Sequence, residues 1–171
     1  HKDGSKEDRY LQLSADDNGG IRYEGSTKIE TDIWYDVAVV LDGSKRGSER
    51  IALYVNGTKE TLQLKNGNPD ELKDVDLTSN FYIGRSDGKR PLNGAVTFAR
   101  IWTKALTDTE IAANAGKTVP ESKENLAANW IFTDVSDNAS TFVSSAGSPY
   151  EAIANSPVTS WLADPALSPQ E

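Results

Sequence analysis

The chain reads as a succession of short period-two runs separated by turn residues. "RYLQLSA" places Leu11 and Leu13 on one face with Tyr10 and Gln12 on the other, and "IRYEG" resumes the alternation with Ile21 and Tyr23 together. The "DDNGG" between them is a turn signal, so the two runs predict a hairpin with its tip at Asp16 to Gly20. Ahead of it, "HKDGSKED" contains no apolar side chain and reads as a frayed lead-in. "TKIETD" leads, as a short strand or turn, to Trp34.

"DVAVVLDG" is apolar on both faces, with Val37, Val39 and Leu41 opposed to Ala38 and Val40, and this predicts a central strand. A charged loop, "SKRGSE", connects it to "RIALYVNG", where Ile51, Leu53 and Val55 alternate with Ala52 and Tyr54. Asn56-Gly57 is a strong hairpin signal, because both residues tolerate the positive φ of a type I′ turn. "TKETLQL" then predicts the return strand.

The next stretch, "NGNPDELKDVDLTSN", is a polar excursion, and "FYIGRSDG" predicts a strand ending at Gly84. "LNGAVTFARIWTKAL" is the longest apolar run; "TDTE" at Thr107 is a capping box for a short helix, "DTEIAANAG", stopped by Gly116. "NLAANWIFTDVSD" predicts a strand around Trp130 and Phe132, and a short strand is expected within "SSAGSPYEAIANSPVTSW". Many short strands and one brief helix predict an all-β, antiparallel sandwich, since an α/β fold would need a helix after each strand. The 171 residues suit a single domain, 1–171, with 1–8 and 163–171 as loose ends.

Charge and composition narrow the chemistry. The formal net charge is -8, with 18 Lys and Arg spread along the chain, which disfavours nucleic acid and anionic membranes but suits a neutral glycan or a divalent cation. No apolar run approaches the ~18 residues of a membrane span. The chain has no cysteine, and its only histidine is His1, so disulfides, thiolate chemistry, an internal Ser-His-Asp triad and internal histidine metal sites are ruled out.

"WYDVAVVLDG", "IALYVNG", "FYIGRSDG", "LNGAVTFARIWTKALTDTEI" and "NWIF", in that order, resemble the laminin-G-like branch of the concanavalin A-like lectin/glucanase superfamily. The likeness runs from about Leu11 to Trp161; each motif is weak alone, but the ordered string is specific. It implies a jelly-roll sandwich of two curved antiparallel sheets. It is similar to modules of bacterial glycan-utilisation proteins, which implies a single module of a longer parent at the cell surface or outside the cell. Such modules usually begin with further strands before the position of Tyr10, and these are not recognisable here, so either the chain is cut from a longer parent or its sheets are smaller.

Each candidate site has a plain folding role beside the functional one. Trp34, Trp102 and Trp130 read as core or inter-sheet packing, with ligand stacking the alternative. Asn56-Gly-Thr58 and Asn138-Ala-Ser140 are also glycosylation sequons, relevant only in a eukaryotic secretory pathway. Asp16, Asp17 and Asn18, then Asp42, Asp70 with Glu71, Asp74 with Asp76, and Asp87 could offer oxygens to calcium, which the resemblance implies for several members of the superfamily. Asp42 and Asp87 lead, because each closes a strand at a glycine turn, but single acidic loops usually just face water.

Catalysis fares poorly. The superfamily's glucanases carry an E-x-D-x-E run, where period two puts three acids on one face. Here Glu30-Thr-Asp32 continues to Trp34, and Asp74-Val-Asp76 to Thr78. Glycan binding needs less: an aromatic platform ringed by planar polar groups. Tyr10, Tyr23, Tyr35 and Tyr82 are the expected exposed aromatics, with Arg22, Arg85 and Asn93 as hydrogen-bonding partners. The sequence therefore points first to a non-catalytic carbohydrate-binding module, then to a protein-interaction, adhesion or spacer module, and last to a glycoside hydrolase with an unusual carboxylate pair.

Overall fold

Antiparallel strands and one α-helix are the main regular elements of the structure, a computed structural model that describes residues 9–15, 20–72, 81–84, 92–133, 141–147 and 150–154. The chain divides into two units, His1–Asp76 with Ala105–Gly116, and Leu77–Lys104 with Lys117–Glu171.

The first unit holds two small sheets. β1 (Tyr10–Ala15) and β2 (Ile21–Lys28) form the predicted hairpin, with Leu13 opposite Tyr23 and Ser14 opposite Arg22. β3 (Val37–Leu41), β4 (Ile51–Val55) and β5 (Thr58–Lys59) form the second sheet in that order. Asn56 and Gly57 take φ of 50° and 76°, the left-handed pair a tight hairpin turn requires. The expected single return strand divides: β5 ends after two residues, and β6 (Gln63–Asn66) pairs with β2 instead. The chain thus steps from one sheet to the other between Glu60 and Leu62.

Alternation explains why these sheets pack. Ile21 and Tyr23 face inward from β2, and with Leu72 they form a buried cluster joined by Leu13, Leu41, Ile51 and Leu62. Side chains from both sheets therefore share one core, a two-layer arrangement. The expectation that β3 is central is corrected. Among the described residues it pairs only with β4, and Val37 and Val39 stay 47% and 52% exposed. Leu53 and Val55, their partners across the ladder, are buried.

α1 (Asp108–Asn114) starts as the sequence predicts. Thr107 accepts from the Glu110 N–H at 3.3 Å while the Glu110 carboxylate accepts from the Thr107 N–H at 2.9 Å. The helix lies against the Asn56-Gly57 turn so closely that a Cβ on Gly57 would stand 3.0 Å from the Ala115 methyl. Asp36 ties the two together: its N–H donates to the Asn56 side chain and its carboxylate accepts from Gly116 N–H.

The second unit contains β7 (Phe98–Trp102) paired with β8 (Leu126–Ile131), and β9 (Thr141–Val143) paired with β10 (Glu151–Ile153). Ala128, Trp130 and Phe142 form its core, with Ile83, Ile101 and Phe132 packed on them. Phe132 and Phe142 meet edge to face at 5.1 Å, a favourable quadrupole geometry. A buried amide, Asn129, is fully engaged: Arg100 Nε donates to its Oδ1 at 2.7 Å and its Nδ2 donates to Ser145 Oγ at 2.6 Å. The predicted strand at "FYIG" does not form; residues 81–84 are a bend in which Gly84 takes φ 74°.

Candidate functional site

In the first unit, the expected platform does not assemble. Tyr23 was expected to project outward, but it is only 3% exposed and belongs to the core beside Ile21. Burial first, and then the Asp70 charge, push its phenol pKa up. The inversion follows from register: Tyr23 shares the inward face with Ile21, its neighbour two residues back. Tyr35 is half-buried, and its hydroxyl accepts from the Glu30 N–H at 3.1 Å, closing the loop in which Trp34 also lies.

Tyr10 and Arg22 sit at opposite ends of the β1–β2 ladder. Tyr10 is opposite Lys28 and Arg22 opposite Ser14, so the four β1 steps from Tyr10 to Ser14, about 14 Å of strand, separate them across a bulge in the register. Between them the solvent face is polar. Lys65 Nζ pairs with Glu24 at 2.7 Å and Gln12 donates to the same carboxylate at 3.3 Å. The Lys65 hydrogen bond leads the interactions that hold Glu24 below the usual glutamate range.

In the second unit, two expected residues lie on segments joined by a backbone hydrogen bond. The Leu92 N–H donates to the Gly84 carbonyl at 2.6 Å, which ties the bend carrying Tyr82 to the segment carrying Asn93. Tyr82 is 47% exposed and Asn93 is exposed. Beside Tyr82 stands an aromatic that sequence reasoning missed. Phe81 lies nearly parallel to Trp130, with ring centroids 6.4 Å apart and an interplanar angle of 18°, yet remains 65% exposed. Trp130 is buried and donates Nε1–H to the Tyr150 carbonyl at 3.3 Å, so the ring beneath Phe81 is fixed. The result is an exposed ring offset-stacked on a buried indole, with a phenol and a carboxamide on adjoining segments.

Asp42 Oδ1 accepts from Ser44 N at 3.0 Å and Ser44 Oγ at 2.6 Å, and Oδ2 stands 3.8 Å from Lys45 Nζ. The Ser44 hydrogen bonds are the main reason its pKa lies below the usual aspartate value. One carboxylate with a cation beside it does not make the set of about six to eight oxygens that calcium takes. Among the described residues no three His, Cys, Asp or Glu side chains gather to hold a metal ion. Asp87 and Arg85 lie outside the described residues. Glu30 and Asp32 follow the end of β2, with Asp32 at φ 62° in a turn, so no strand aligns their carboxylates on one face.

Residues 3–112 match a laminin G family model of the concanavalin A-like lectin/glucanases superfamily. The chain belongs to that family, whose superfamily includes lectin-like and adhesion modules as well as glycosidases. No curated protein and no solved structure matches the chain. No helix among the described residues is long and apolar enough to cross a membrane.

Proposed function

We propose that this chain is a non-catalytic carbohydrate-binding module of a bacterial surface or secreted glycan-utilisation protein, acting outside the cell. The observation that carries the reading is Phe81, exposed and stacked on a buried Trp130, with Tyr82 adjacent in the chain and Asn93 on the segment that the Leu92–Gly84 hydrogen bond ties to it. Sugar rings present apolar C–H faces that cover an aromatic ring, while their equatorial hydroxyls reach for amide and phenol groups at its edge. A large apolar ring left in water on a rigid support is what such a ligand needs, because little ordering remains to be done on binding. Membership of a superfamily that contains lectin-like modules supports the same reading.

The test is a glycan array followed by calorimetry on the intact chain. Micromolar binding of at least one glycan, weakened about tenfold or more by Phe81→Ala, is the expected result. Binding to no glycan across a broad array overturns the proposal.

A protein-interaction or adhesion role has its own observation. Val143 and Ile153, on the outer face of the β9–β10 hairpin, are 71% and 73% exposed. A protein partner would bury them, and charged substitutions there would then abolish its capture while leaving glycan binding intact.

A further inference from the structure

Asn-Gly occurs four times in the chain, beginning at Asn18, Asn56, Asn66 and Asn93. The pair is chemically labile. Once deprotonated, the glycine amide nitrogen attacks the asparagine side-chain carbonyl carbon, and glycine carries no Cβ to block the approach. A C–N bond forms, ammonia leaves, and the product is a cyclic imide. Water then opens the ring to aspartate or isoaspartate, so the sum is Asn plus water giving Asp plus ammonia, with no other reactant. Ring closure needs the side chain and the next amide to rotate toward each other. A hydrogen bond or a tight turn that fixes either one slows it.

The fold holds two of the pairs. Asn56 and Gly57 form the β4–β5 turn, where Asn56 Oδ1 accepts from the Asp36 N–H at 2.9 Å and the Asn56 N–H donates to the Asp36 carbonyl at 2.8 Å. Gly57 packs on α1, with the Ala112 Cα 3.1 Å from where its Cβ would stand. Asn66 ends β6 opposite Arg22, and its Nδ2 donates to the Gly20 carbonyl at 2.7 Å. Gly67 lies against the same carbonyl with no room for a Cβ between them. Asn18 lies outside the described residues. Asn93 differs on each count. Both it and Gly94 are exposed and belong to no strand or helix. Among the described residues, neither the Asn93 side chain nor the Gly94 N–H makes a hydrogen bond. A Cβ on Gly94 would meet nothing nearer than Leu92 Cγ at 3.7 Å. The bond from the Leu92 N–H to the Gly84 carbonyl stops one residue short of the reacting pair.

We propose that Asn93 is a site of spontaneous deamidation, converted through an imide with Gly94 to aspartate and isoaspartate while Asn56 and Asn66 remain amides. The product carries a carboxylate, ionised at neutral pH, that only accepts hydrogen bonds where the amide donated and accepted. It adds one negative charge to a chain whose formal net charge is -8. The isoaspartate branch also lengthens the backbone beside Leu92 by one methylene. Because the pair is exposed and makes no hydrogen bond among the described residues, the fold loses no such bond, and the converted chain stays folded. This inference does not depend on the carbohydrate-binding reading.

The experiment is incubation of the intact folded chain in mildly alkaline buffer, with proteolytic peptides followed by mass spectrometry over time. Asn93 converts about tenfold or more faster than Asn56 and Asn66, since each held pair must first give up its hydrogen bonds. In guanidinium chloride, where the turn and those bonds are gone, the three rates converge. Gly94→Ala, whose methyl makes only an ordinary contact with Leu92, keeps the fold and suppresses conversion at Asn93. Conversion at Asn93 no faster than at Asn56 or Asn66 in the folded chain overturns the inference, and so does a Gly94→Ala chain that converts at the wild-type rate. A ranking that persists unchanged in guanidinium chloride overturns it too, because local sequence and not the fold would then set the rates.

Discussion

The carboxylate of Glu60 accepts hydrogen bonds from both the backbone N–H and the hydroxyl of Thr27, each at 2.6 Å. Ser26 adds its N–H at 2.6 Å and its hydroxyl at 3.2 Å, so one side chain satisfies two adjacent residues of β2. Glu60 stands where the chain leaves β5 for β6, and its own N–H donates to the Leu53 carbonyl at 2.8 Å. It is the polar tie between the two layers of the first unit. Gly25 makes it possible: a Cβ there would stand 2.8 Å from Glu60 Oε2 and 3.0 Å from Leu53 Cδ2.

Replacing Glu60 with Gln removes the charge and one acceptor while keeping the shape, and should cost about 1–3 kcal/mol in urea unfolding at neutral pH. Burial raises the Glu60 pKa, and the hydrogen bonds from Thr27 and Ser26 more than offset this, so the net shift is downward. A depressed carboxyl pKa contributes stability that is present above the unfolded value, near 4.3, and is lost as pH falls through the folded value. The stability difference between Glu60→Gln and wild type should therefore be full at pH 7 and narrow below about pH 4. A difference that stays constant between pH 7 and pH 3 would refute the assignment.

Tyr54 and Asp108 hold the helix to the hairpin. The Tyr54 hydroxyl donates to Asp108 Oδ1 at 2.6 Å, with Lys59 Nζ 3.7 Å from the same oxygen. Burial, then the Asp108 hydrogen bond, push the phenol up to about 12. A raised tyrosine pKa gives stability that is complete below the unfolded value near 10 and disappears as pH climbs toward the folded one. Alkaline titration followed by phenolate absorbance should show Tyr23 and Tyr54 ionising late, and Tyr54→Phe should remove the step near 12 at a cost of about 1 kcal/mol while the Tyr23 step remains. A step near 12 that persists in the Phe variant would show the tyrosine was misassigned.

Asn129 is the fixed point of the second unit's polar core. Its amide N–H donates to Ser144 Oγ at 3.0 Å, in addition to its side-chain bonds with Arg100 and Ser145. Truncation to Ala leaves buried donors and acceptors without partners, which costs about 1–3 kcal/mol for each group. Asn129→Ala should lower the melting temperature by several degrees, whereas Thr118→Ala, outside that network, serves as the control. Equal melting of Asn129→Ala and wild type would mean that water replaces the lost bonds without penalty.

The hairpin of β1 and β2, the turn at Asn56-Gly57, the capping box at Thr107 and the β8 strand were all legible, because each is decided by residues within one short window. What stayed hidden depends on distant partners. Nothing local in "TKETLQL" says that Glu60 will reach Ser26 and redirect the chain to β2. Alternation also grouped Ile21 with Tyr23 correctly, yet Tyr23 was assigned outward as an aromatic candidate, and its burial follows from the same pairing. Val37 and Val39 read as core because both faces of β3 are apolar, but their exposure depends on what lies beyond the strand's edge. Alternation points to Tyr82 as an exposed aromatic and side-chain chemistry to Asn93 as a hydrogen-bonding partner, whereas Phe81 reads as an ordinary strand residue. Its stacking with Trp130, 49 positions later in the chain, exists only in the folded structure.

That separation of exposure from support gives the most discriminating measurement on the candidate site. Phe81 is 65% exposed, so its removal exposes little that was not already wet. Phe81→Ala should shift unfolding free energy by no more than about 0.5–1 kcal/mol, most of it from lost stacking on Trp130. Its effect on glycan affinity should be larger, about tenfold or more, because the ring's whole face would be covered by ligand. Trp130→Ala should do the opposite, costing about 3–5 kcal/mol of stability through the cavity it leaves in the core. If Phe81→Ala destabilises the fold as much as Trp130→Ala, the ring belongs to the core and is not a platform. If it leaves both stability and glycan affinity untouched, the ligand lies elsewhere on the molecule.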